Sequence, residues 1–158
     1  MDFSLVFFYF TPFISAAWVL YSQSVQQLLY FSSIVWVSDS MAYLVGSSWG
    51  KHPLMPTVSP KKSWEGLIAA LVMVLIYGLL VAHFIFSSMP LWSVAISCIV
   101  LTCVAVGGDL FESKLKRLLN LKDSGRILPG HGGIIDRLDA LIPTLPAGAC
   151  LTFLGFHG

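Results

Sequence analysis

Five apolar stretches, separated by polar segments of very unequal content, set the pattern of this chain. They fall at about 3–21, 25–46, 66–86, 91–110 and 140–156. Each approaches the ~20 residues that an α-helix needs to cross a bilayer. The expected fold is therefore all-α: a polytopic helical membrane protein of about five transmembrane helices. The last stretch is the shortest and contains Pro143 and Pro146. The first lacks a basic leader, and its apolar run is too long and too aromatic for a signal peptide. No internal repeat or low-complexity segment divides the chain, so residues 1–158 are read as a single integral-membrane domain.

Composition agrees with that reading. The chain is 56% hydrophobic and 11% charged, with a mean hydropathy of +0.81. A soluble domain averages about 25% charged residues. A net charge of +1 gives no basis for a nucleic-acid partner. Cys98, Cys103 and Cys150 lie in apolar runs without metal or disulfide spacing, and are read as small core residues.

The basic residues then predict a topology. The 47–65 loop carries Lys51, Lys61 and Lys62, and the 111–139 loop carries Lys114, Lys116, Arg117, Lys122, Arg126 and Arg137. The segments 22–24 and 87–90 carry none. With five spans, the two basic loops share one face, which the positive-inside rule makes cytoplasmic. The N-terminus is then inside and the C-terminus outside. The expected location is the cell (inner) membrane, multi-pass.

Charge at membrane depth is where chemistry is sought. Asp39 sits inside the second apolar run and Asp109 ends the fourth. For Asp39, an ion pair holding two helices in register competes evenly with a role at a polar cavity. If the fourth helix continues beyond Asp109, then Glu112, Ser113 and Lys116 follow at helical spacing and form a polar stripe. Two carboxylates on one face either raise a pKa or bind a metal.

Farther on, Pro129-Gly130-His131-Gly132-Gly133 is a glycine-rich turn whose backbone N–H groups can approach an anion. Asp136 and Asp139 follow three apart, at the start of the last span, and would share a helical face. A helix N-terminus beside such a turn favours phosphate, and an adjacent carboxylate suits the divalent cation a phosphate brings. His131 is open to three roles: a headgroup contact, a proton carrier or an interfacial residue. Lys61 and Lys62, in Ser59-Pro60-Lys61-Lys62-Ser63-Trp64-Glu65-Gly66, read either as topology anchors or as point charges on phosphate oxygens.

The stretch from Ser113 to Asp139 resembles the signature of the phosphatidate cytidylyltransferases, or CDP-diacylglycerol synthases. That signature is a serine, a Lys-Arg pair, Lys-Asp and a small residue, then His-Gly-Gly, Asp-Arg and a final Asp. All of these stand here at the family spacing, as Ser113, Lys116-Arg117, Lys122-Asp123-Ser124, His131-Gly132-Gly133, Asp136-Arg137 and Asp139. The segments Asp39 to Tyr43, Ser59 to Gly66 and Gly108 to Ser113 are also similar to the family. The chain departs from it at Ser47, where a basic residue is usual, at Ser63, where threonine is usual, and in a lysine-poor 53–57 segment. Relatives usually carry several more spans ahead of the catalytic half, so the chain looks like that C-terminal half.

The resemblance implies a reaction between CTP and phosphatidic acid that yields CDP-diacylglycerol and pyrophosphate. It also implies residue roles. Asp109 and Asp136 are the first candidates for Mg²⁺, with Asp39 and Asp139 next; a monovalent cation such as K⁺ would use Asp139 or Glu112. Lys116, Arg117, Lys122, Asp123, His131 and Arg137 are the catalytic candidates. Ser59, Lys61, Lys62, Ser113, Gly132 and Gly133 are the substrate-binding candidates. Membrane lipids, and a homodimer partner that closes the lipid cavity, are the other expected partners. Three readings compete: a CTP- or ATP-dependent lipid-alcohol kinase of related architecture, an ion-conducting membrane protein using Asp39 and Asp109, and an inactive fragment.

Overall fold

The computed structural model describes residues 3–85, 90–118 and 138–154. Among these, five helices follow one another: α1 Phe3–Gln23, α2 Val25–Trp49, α3 Trp64–Ile85, α4 Leu91–Leu118 and α5 Leu141–Phe153. A short antiparallel hairpin, β1 Pro53–Met55 and β2 Ser59–Ser63, stands between α2 and α3. The protein is thus an all-α membrane protein, and α2, α3 and α4 are each long and apolar enough to cross a bilayer. The five apolar stretches and the five helices coincide to within a few residues at most ends; α4 runs eight residues beyond its expected end.

Each boundary has a local cause. Only Ser24 separates α1 from α2; it is extended, and its hydroxyl accepts from the Gln26 N–H at 3.2 Å as an N-cap. Ser63 does the same for α3, accepting from the Gly66 N–H at 3.2 Å. The Glu65 carboxylate then reaches back to His52, 2.6 Å from Nδ1 and 3.3 Å from the backbone N–H. The Trp64 N–H donates to the His52 carbonyl at 3.0 Å. The hairpin is therefore tied at its base to the first turn of α3, and the 47–65 segment is an ordered element rather than the open loop expected.

The core is built by small residues meeting large ones. On α3 the buried positions are Gly66, Ala70, Val74, Gly78 and Ala82, a strict four-residue repeat that lets α2 approach closely. A Cβ on Gly66 would lie 2.7 Å from the Ala42 carbonyl oxygen. Lower down, Gly78 faces Tyr30 and Cys98, and the Tyr30 hydroxyl donates to the Gly78 carbonyl at 3.4 Å. Phe31, Ile34, Val35, Leu101 and Leu145 fill the centre, where α2 touches α1, α3, α4 and α5. The outward faces carry Ile68, Val72, Ile76 and Leu80, as lipid contact requires. One expectation fails here. Cys98 is buried, but Cys103 and Cys150 are exposed. In a bilayer the outer face is as apolar as the core, so hydropathy does not tell them apart.

Candidate functional site

The polar stripe foreseen on the fourth helix exists, because α4 continues through Asp109 to Leu118. The Ser113 hydroxyl donates to Asp109 Oδ1 at 3.5 Å, and Lys116 pairs with the buried Glu112 at 2.8 Å. Asp109 and Glu112 are not left facing each other without a cation. Glu112 has Lys116 one turn on, and Asp109 forms an ion pair with Lys62, which the hairpin carries in from across the bundle.

Asp139 reaches the same place by a different route. Asp139 and Ala140 form a turn between the helical Leu138 and the start of α5 at Leu141; the helical face expected to be shared with Asp136 falls on a residue outside the described ones. The Asp139 carboxylate accepts from the Ala140 N–H at 2.7 Å. The turn sits against α4 at Gly108. A Cβ there would lie 2.4 Å from Pro143 Cγ and 3.2 Å from the Asp139 carbonyl oxygen. This close approach places Asp139 beside Asp109, on the lining of the same cavity. Burial first, and the Asp109 charge second, push Asp139 up to about 7. Two carboxyls so placed call for a proton or a metal ion between them.

Asp39, Asp109 and Asp139 line one cavity of about 410 Å³ together with Ser59, Lys61 and Lys62. Asp39 is accessible there, not sealed between helices. Of the residues singled out from sequence, these six line a common space, with Ser113 joined to it through Asp109. Lys116 and Arg117 do not line it: Lys116 is engaged by Glu112, and Arg117 is exposed on the last turn of α4. Lys122, Asp123, His131, Gly132, Gly133, Asp136 and Arg137 lie outside the described residues.

The donor set suits magnesium. Among the described residues no three His, Cys, Asp or Glu side chains converge to hold an ion unaided. Magnesium does not need that: it keeps several waters and is commonly bound by one or two carboxylates plus substrate phosphates. The Asp109–Asp139 pair fits that description, with Lys62 beside it.

Some of the site escaped the sequence reading. The Lys62–Asp109 pair joins residues 47 positions apart and left no local mark. Tyr43 was legible in part, since it lies four residues after Asp39 and so shares its face of α2. The Ser63 cap was also legible, as a serine directly ahead of an acidic first turn.

The fold and cavity define a helical membrane protein with a carboxylate and lysine site at one end of its bundle. The chain belongs to the cytidylyltransferase family, whose model matches residues 1–154. It is similar to the phosphatidate cytidylyltransferase of Staphylococcus aureus, 44% identical over 125 residues, and to that of Staphylococcus saprophyticus, 42% identical over 125. Each match covers 79% of this chain and 48% of the relative. The phosphatidate cytidylyltransferase of Mycobacterium bovis is 46% identical over 110 residues, covering 70% of this chain and 36% of the relative. The chain thus spans about half the length, or less, of the curated relatives it matches.

Proposed function

We propose that this chain carries the catalytic part of a CTP:phosphatidate cytidylyltransferase, making CDP-diacylglycerol and pyrophosphate for phospholipid synthesis. The observation that carries the reading is the convergence on Asp109 of Lys62 from the hairpin and Asp139 from the turn before α5. Family membership and the names of the relatives support it.

The chemistry asks for what this cavity offers. A phosphatidate oxygen attacks the α-phosphorus of CTP; one P–O bond forms as the bond to the β-phosphate oxygen breaks, and pyrophosphate leaves. Both reactants are anions, so positioning and charge neutralisation dominate. The lipid phosphate is already nucleophilic and needs no dedicated base. Lys62 and Lys61 would neutralise phosphate oxygens from the hairpin side. Lys122, Arg137 and His131-Gly132-Gly133 would supply the further phosphate contacts that the family resemblance implies. Magnesium held by Asp109 and Asp139, with Asp136 and Asp39 as further donors, would supply the remaining positive charge. A monovalent cation would fall to Asp139 rather than Glu112, which Lys116 already engages.

In the membrane, we place both basic segments and the site on the cytoplasmic face of a multi-pass protein, as the distribution of lysine and arginine supports. A homodimer, or further helices, would close the lipid side of the cavity.

The test uses the purified chain in detergent with phosphatidate, Mg²⁺ and labelled CTP. Label from the α-position is expected in the lipid. Label entering only from the γ-position would replace the reading with a lipid kinase. Asp136→Asn is expected to abolish lipid product while leaving membrane insertion normal; wild-type turnover would remove Asp136 from the metal set.

A further inference from the structure

A second cavity of about 450 Å³ adjoins the carboxylate site. Its walls include Tyr43, Ser47, Gly50, Lys51, Lys61 and Ser63. Tyr43, Lys61 and Ser63 line both cavities, so the two are neighbours across one shared wall. That continuity follows from α2. Asp39, Tyr43, Gly46 and Gly50 recur at four-, three- and four-residue steps and present one helical face that runs from the first cavity to the second.

The two cavities differ in charge. The first holds three carboxylates and two lysines. The second, among the described residues, holds Lys51 and Lys61 and no acidic side chain, with the Ser47 and Ser63 hydroxyls on the same lining. A triphosphate travelling with a divalent cation suits the first. An anion that brings no metal suits the second. Trp49 ends α2 and Trp64 opens α3 beside this cavity, and both are exposed, as aromatic side chains at a membrane–water boundary are, which suits a lipid headgroup site.

We propose that the second cavity is the docking site for the phosphate monoester of the lipid substrate. Lys51 and Lys61 clamp its oxygens, and Tyr43 stands between it and the nucleotide side. A phosphate monoester carries about −1.5 to −2 charges near neutral pH, which two lysine point charges match. The shared wall sets the lipid phosphate beside the nucleotide, as in-line attack demands. This assignment rests on the functional reading above.

Equilibrium binding, read without turnover, tests it. The purified chain in detergent is titrated separately with dioctanoyl phosphatidate, dioctanoyl phosphatidylcholine and CTP, beside Lys51→Gln, Lys51→Arg and Ser47→Lys. Lys51→Gln is expected to weaken phosphatidate about tenfold while CTP moves less than about twofold. Lys51→Arg restores most of the affinity, and Ser47→Lys tightens phosphatidate. Lys51 also follows the C-terminus of α2, where a cation offsets the helix dipole. A merely structural role would lower the melting temperature without this selectivity, so melting is recorded for every variant. Weakened CTP binding would give the cavity to the nucleotide's phosphates and overturn the assignment. So would equal binding of phosphatidylcholine, or unchanged phosphatidate affinity in Lys51→Gln. Selective phosphatidate binding by a chain that makes no CDP-diacylglycerol would sink the cytidylyl-transfer reading and leave this subsite standing.

Discussion

Gly107 and Gly108 are adjacent in sequence and opposite in consequence, which makes them a matched test of how the site is held. Among the described residues, a Cβ at Gly107 meets nothing within 4 Å. A Cβ at Gly108 would stand 2.4 Å from Pro143 Cγ, against 3.4 Å for ordinary contact, a shortfall of 1.0 Å (3.4 − 2.4). The proline ring cannot swing aside as a flexible side chain would, so Gly108→Ala must push the start of α5 away from α4. The turn that carries Asp139 lies on that path. Overpacking of this kind typically costs about 1–3 kcal/mol. A displacement of about 1 Å in reacting geometry can cost on the order of 10²-fold in rate. The expected result is a 10- to 100-fold loss in kcat/KM for CTP-dependent lipid product with the fold retained. Gly107→Ala should keep wild-type turnover and gain a little stability, since alanine favours helix over glycine by about 0.5–1 kcal/mol. The assay is transfer of α-label to phosphatidate in detergent, with thermal melting of both variants. Equal activity in the two variants would refute the idea that the Gly108–Pro143 contact sets the position of Asp139.

Other outcomes follow from the same geometry. Lys62→Met removes the cation that pairs with Asp109, and turnover should fall about 10²-fold, the usual loss when one preorganised donor to developing charge is deleted; near-wild-type kcat/KM would leave Lys62 a topology anchor. Asp109→Asn should abolish the Mg²⁺ dependence of turnover, and a Mg²⁺ titration curve matching wild type would take Asp109 out of the metal set. Asp139 is pushed up to about 7 by burial and by Asp109. Its folded form therefore holds a proton that the unfolded form loses near the ordinary aspartate value of 3.8. The stability it contributes is present below that value and is lost as pH rises towards 7. Without divalent cation, melting temperature should fall across this window in wild type and fall less in Asp139→Asn. Added Mg²⁺ should reverse the wild-type loss at pH 7 and above. A flat wild-type profile would show that Asp139 is ionised throughout.

Much of this molecule was legible in one dimension. Spans of about 20 apolar residues need no partner to be recognised, because a bilayer requires each crossing segment to satisfy its own backbone in a helix. The same local logic exposed the polar stripe after Asp109, since helical spacing alone places Ser113 and Lys116 on its face. The spacing of the charged and glycine residues between Ser113 and Asp139 carried the family resemblance. The β-hairpin was not legible: Ser59-Pro60-Lys61-Lys62-Ser63 shows no apolar alternation, and the hairpin is held by His52, Glu65 and Trp64 around the start of α3. Nor did hydropathy foretell that Cys103 and Cys150 face outward.

What the sequence determined was the inventory: which segments enter the membrane, which charges remain at its edge, and which reaction family they suit. Tertiary structure decided the partners. Lys62 meets Asp109 because small residues let α2 and α3 close together and so set where the hairpin stands. Asp139 joins them because a glycine on α4 admits the Pro143 ring of α5. Distances across a bundle are set by which side chains are missing at the crossings, and no periodicity along one chain encodes how far a neighbouring helix will come.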